Sequence, residues 1–135
     1  VTSKTLVVQF DGTTITVGSS VNTYTGGATG RNQSVIGLTS TTALVAYMTN
    51  SDIRVAIITR SGGTPTAASD TSIATAASAQ NDEIAVDRLG DDSVLVQHQD
   101  VDTGSGGENR TILVRVTSTT PAVFRLSGLE LSCKR

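Results

Sequence analysis

Period-two alternation of apolar and polar residues constrains this chain more than any other feature. In Lys4-Thr5-Leu6-Val7-Val8-Gln9-Phe10, the residues Leu6, Val8 and Phe10 fall on one face of an extended segment. Asp11-Gly12 follows, a strong hairpin signal, and Thr13-Thr14-Ile15-Thr16-Val17 returns along it. The same pattern predicts strands over 34–38, 43–49, 53–60, 83–89, 93–99, 110–117 and 122–126. Between them lie turn clusters: Thr39-Ser40-Thr41, Asn50-Ser51-Asp52, Ser61-Gly62-Gly63 and Gly90-Asp91-Asp92. Nothing carries a capped helical stripe. The Ala-rich stretch 67–79 is broken by Ser and Thr and has no apolar stripe, which predicts a loop or an irregular strand. The expected fold is all-β and antiparallel, one domain spanning 1–135.

Composition excludes several function classes. With 37% hydrophobic and 16% charged residues over 135 positions, the chain is too apolar for general disorder. That length buries roughly two thirds of its unfolded surface, enough for a core. A net charge of −2 lacks the basic footprint of a nucleic-acid binder. No apolar run approaches the ~20 residues of a membrane-spanning helix, and no secretory leader is visible. Cys133 is the only cysteine, so an intrachain disulfide is impossible and burial must hold the fold. Beside Lys4 and the few other charges, 22 Thr, 15 Ser and 13 Gly supply a strand-and-turn vocabulary.

The strands repeat. Ile53–Pro65 aligns with Asn109–Pro121, with Pro65 falling on Pro121, 56 positions on. Leu38 and Leu44-Val45 match Leu89 and Leu95-Val96, 51 positions on, and Lys4–Ile15 matches Arg54–Pro65, 50 positions on. The growth of the spacing from 51 to 56 places a five-residue insertion between Gln99 and Arg110, where Gly104-Ser105-Gly106-Gly107 stands. Boundaries near 4–33, 34–83 and 84–132 give about two and a half four-stranded units. Asp11-Gly12-Thr13-Thr14-Ile15-Thr16-Val17 and Leu38-Thr39-Ser40-Thr41-Thr42-Ala43-Leu44-Val45 resemble degenerate β-propeller-type repeats of phage structural and bacterial surface proteins. The resemblance spans Lys4 to Leu126 and rests on short motifs. It implies a partial propeller, or one completed by several chains, because closed rings use ~4–8 blades. An open β-sandwich is the alternative packing.

Candidate site residues are few. Asp100, Asp102 and Glu108, around the glycine-rich insertion, are hard oxygen donors of the kind calcium takes, although the spacing departs from an EF-hand loop. A solvated acidic loop is the plainer reading, so no cofactor is expected and calcium is the one weighed. His98, the single histidine, shares a face with Val94 and Val96 and aligns with Tyr47. A position that takes Tyr in one unit and His in another reads as a flat, semi-buried side chain with a wet tip. Tyr24, in a Thr- and Gly-rich stretch, is the remaining ring on which a ligand would stack. No catalytic constellation of nucleophile, base and acid is visible.

These readings favour a non-enzymatic structural or assembly protein. Sheet borders need cover, and a protein lattice or further copies of the chain would supply it. Small-residue stretches over 19–33 and 64–80 would lie across neighbours as clamps. The phage-like resemblance implies a virion-surface or extracellular component, such as a capsid cement or decoration protein or a tail-associated module, in a homo-oligomer. The alternative is a carbohydrate-binding or adhesion module completing a propeller by oligomerisation, with Tyr24, Tyr47 and His98 lining clefts. The absence of Trp counts against it.

Overall fold

A computed structural model describes residues 3–24, 31–49, 52–75, 83–100, 108–120 and 123–133; side-chain surroundings are described for 4–23, 32–49, 52–74, 83–98 and 109–116. The chain is all-β with antiparallel sheets, none of them closed. Three layers stack in chain order. The first is a hairpin of β1 (Ser3–Phe10) and β2 (Ile15–Tyr24). The second is a sheet of β3 (Arg31–Gly37), β4 (Thr42–Met48), β5 (Asp52–Ser61) and β6 (Thr64–Ala67), in that order, with β7 (Thr71–Thr75) also pairing β5. The third is a meander of β8 (Ile84–Arg88), β9 (Ser93–Asp100), β10 (Glu108–Thr120) and β11 (Val123–Cys133).

The middle sheet is covered on both faces, so its strands read as apolar runs rather than as alternation. Leu44, Ala46, Met48, Ile53, Val55 and Ile57 pack against Val94, Val96, Ile112, Val114 and Val116 of the third layer. Val45, Tyr47, Ala56 and Ile58 form a second cluster on the opposite face, under Val21 of the hairpin. Contact between the hairpin and the middle layer is close enough to exclude a side chain. A Cβ on Gly18 would strike the Gly63 carbonyl oxygen and come within 3.0 Å of its carbon.

The two larger sheets share their turn chemistry. Leu38 and Thr39 donate backbone hydrogen bonds to the Thr42 carbonyl, and Leu89 and Gly90 donate to the Ser93 carbonyl, 51 positions on. Arg60 N–H bonds the Thr41 carbonyl at 2.8 Å, and Val116 N–H bonds the Asp92 carbonyl at 2.7 Å. The hairpin matches the β5–β6 pair in the same way. Phe10 opposes Ile15 and Val8 opposes Val17, while Arg60 opposes Pro65 and Ile58 opposes Ala67, each 50 positions on. Both turns hold a glycine at positive φ, Gly12 at 97° and Gly62 at 57°, a conformation that a Cβ would strain.

Several expectations need correction. Residues 64–67 and 71–75 are strands paired to β5 rather than part of a clamp, because the edge of β5 offers a ladder that Thr-rich segments satisfy. The stretch expected as a loop from 19 is strand as far as Tyr24, and β3 begins at Arg31. The last strand runs on to Cys133 instead of ending at 126, since β10 is long enough to pair with all of it.

Candidate functional site

The first layer presents the least finished surface. Leu6, Val8, Phe10, Ile15 and Val17 share the outward face of the hairpin and are 48–68% exposed. Cross-strand pairing brings Phe10 against Ile15 and Val8 against Val17, so the five side chains form one contiguous patch. At about 100 Å² each they amount to roughly 500 Å², a size at which an apolar patch marks an interaction surface. The equivalent positions one layer on, Ala56 and Ile58, are buried under the hairpin. Leu6 and Val8 therefore occupy places that the next layer keeps covered.

The strand edge beside this patch is better protected than its face. Among the described residues β1 pairs only with β2, whereas β5, its counterpart, takes β4 on one edge and β6 and β7 on the other. Exposed Lys4 and a register shift between Leu6 and Val8 blunt the bare edge. Its face has no such device.

A polar cluster lies beneath the same layer. Tyr47 on β4 and Arg54 on β5 are cross-strand partners, and both reach Asp70 in the turn before β7. Arg54 grips the carboxylate with two bonds, Nε to Oδ2 at 3.0 Å and Nη2 to Oδ1 at 3.1 Å. The Tyr47 hydroxyl donates to Asp70 Oδ2, and Arg54 Nη1 donates to Asp52 Oδ2 at 3.0 Å. Burial alone would raise the Asp70 pKa, but Arg54 and Tyr47 outweigh it and hold the carboxyl below the usual range. Burial, then the adjoining carboxylate, pushes the Tyr47 phenol upward. This cluster ties the β6–β7 connection to the middle sheet; its groups are engaged with one another.

The third layer carries a shallow groove of about 190 Å³ lined by Glu83, Ala85, Gln97, His98 and Asn109. One carboxylate and two amides there offer both donors and acceptors to a small polar ligand. His98 is buried on the face of β9 turned to the middle sheet, beside Val96. Tyr47, although 51 positions before it and equally buried, faces the hairpin instead, so the two rings sit in different interlayer spaces. Tyr24 ends β2 opposite Ser3, and its side chain lies outside the described residues.

For the acidic insertion, the backbone places Glu108 opposite Asp100 across β9 and β10. Their side chains, and Asp102 altogether, lie outside the described residues, as does the side chain of Cys133 at the end of β11. Among the described residues, no group of three His, Cys, Asp or Glu side chains is placed to hold a metal ion. Among them too, no helix is long and apolar enough to cross a membrane.

Scans against protein-family models, curated proteins and solved structures each returned no match. Sequence reasoning found the Leu6–Phe10 stripe but missed Asp70 and Arg54, whose partnership depends on pairing that spans the β6–β7 turn. A bidentate Arg–Asp contact leaves no local signature.

Proposed function

We propose that this chain is a non-enzymatic structural protein that works by assembly, as a virion-surface component of the capsid cement, decoration or tail-associated kind. The observation that carries this is the apolar hairpin face, Leu6, Val8, Phe10, Ile15 and Val17, at positions that the following layer keeps buried. Exposing such a patch is costly for a solitary protein, and burying it against protein supplies the gain at roughly 25 cal/mol per Å² before association costs. On this reading the three layers are about two and a half four-stranded repeats of propeller type, and neighbouring protein finishes the incomplete unit. Aromatic-poor, Thr-rich surfaces suit broad backbone contact more than the capture of small molecules.

Immunogold electron microscopy of particles from the encoding organism tests the reading. Antibody against the chain should label particle surfaces. Particles that carry the chain's genome yet take up no label refute it. The groove of Glu83, Gln97, His98 and Asn109 supports a second reading, a carbohydrate-binding or adhesion module. A glycan array with hits that vanish in Asn109→Ala would favour it; a blank array removes it.

A further inference from the structure

We infer that the groove on the outward face of the third layer takes an arginine side chain of a partner protein. The inference rests on the assembly reading and names the chemistry by which a partner is held.

Strand register brings the lining together. Gln97 pairs with Ala85 on β8 and with Thr111 on β10, and Asn109 stands two residues before Thr111 on the same face. Glu83 stands two residues before Ala85, just ahead of β8. Glu83 and Asn109 thus flank Gln97 diagonally from the two neighbouring strands. The equivalent positions of the middle layer are Ala46, Ile53 and Val55, which belong to the interlayer core. Leu95 and Leu113, by contrast, keep the apolar character of their own counterparts, Leu44 and Ile57. The change to polar side chains at Gln97, Asn109 and Thr111 is confined to the corner that holds the groove.

Size and charge select the occupant. At about 190 Å³ the groove falls below the roughly 300–1,000 Å³ that holds a whole small-molecule ligand, and it suits one long side chain. Carboxylates elsewhere are already engaged. Asp11 accepts from two backbone amides, Asp52 and Asp70 from Arg54, Asp87 and Asp91 from Arg88, and Asp92 from the Ser93 hydroxyl. Among the described residues, Glu83 is the one carboxylate with no such partner. The stretch 82–108 holds eight of the chain's 12 acidic residues and one of its 10 Lys and Arg, so it draws a cation. That one cation, Arg88, is turned to Asp91 and the Gly90 carbonyl, while Arg115 lies six residues along β10 from Asn109, about 20 Å away. A guanidinium meets the Glu83 carboxylate with two N–H groups and offers the rest to the Gln97 and Asn109 side-chain oxygens, its stem on Ala85. An ammonium is a point charge and matches this spread of acceptors less well. The described lining gives a sugar no Tyr or Phe ring to stack on.

The test is a titration of the isotope-labelled full chain with acetyl-arginine amide, followed by the shifts of its amide signals in NMR spectra that also report folding. Saturable shifts should appear at the side-chain amides of Gln97 and Asn109, with a dissociation constant in the millimolar range. Glu83→Gln should weaken binding about tenfold, and Asn109→Asp, which adds a carboxylate, should tighten it several-fold. Acetyl-lysine amide should bind more weakly than the arginine probe. The absence of saturable shifts by about 50 mM probe overturns the inference, as does an affinity unmoved by Glu83→Gln or a tighter lysine probe. A neutral methyl hexopyranoside that binds the groove more tightly than the arginine probe also overturns it, in favour of the glycan reading. Particle labelling reads incorporation at a surface whatever fills the groove, so the assembly reading and this inference fail separately.

Discussion

Replacing Asp70 should loosen the middle sheet by an amount its geometry sets. The carboxylate accepts two bonds from Arg54, at 3.0 and 3.1 Å, and a third from Tyr47. Asp70→Ala removes all three and leaves Arg54 with Asp52 alone. Arg54 and Asp70 retain about a quarter of their side-chain exposure, so water recovers part of the loss. Charged hydrogen bonds contribute ~1.5–3 kcal/mol, and with partial solvation we expect a net loss of about 2–3 kcal/mol. Tyr47→Phe, which keeps the buried ring and removes one bond, should lose about 1 kcal/mol. The two changes should not add. Once Asp70 is gone the phenol has lost this acceptor, so the double variant should lose less than the sum of the two single losses. Urea unfolding of all four proteins measures the cycle, and about 4 °C of melting temperature per kcal/mol gives an independent check. A loss below 0.5 kcal/mol for Asp70→Ala, or full additivity, would refute the view that these residues act as a unit.

Four further outcomes follow from the same structure. Because Asp70 is held below its unfolded value near 4, its contribution is present above that pH and fades as pH falls through the folded value; Asp70→Ala should lose stability less steeply below about pH 4 in acid melts. Gly18→Ala should cost about 1–3 kcal/mol, because the Gly63 backbone it strikes cannot rotate aside, and proteolysis should then cut first near the hairpin. Val96→Ala, in the interlayer core, should lose about 2–3 kcal/mol in urea unfolding, while Leu89→Ala, half exposed at a turn, should change little. Excess calcium followed by chelator should leave the melting curve unmoved; a rise with calcium that Asp100→Asn abolishes would instead make the inserted segment a cation site.

Alternation made most strands legible, because a strand with one wet face writes its burial into every second residue. Val94, Val96 and His98 are such a case. The repeat spacing also led to matching turns, since Leu38 and Leu89 make the same backbone bonds. Sequence failed where pairing, rather than burial, makes the strand. Residues 64–67 and 71–75 are short and Thr-rich, and they become strands because β5 has an edge to fill. Direction was illegible too. Tyr47 and His98 align in sequence, yet they enter different interlayer spaces because the layers are stacked in order. The apolar stripe of the first strand reads like any core face; only the structure reveals that it is exposed.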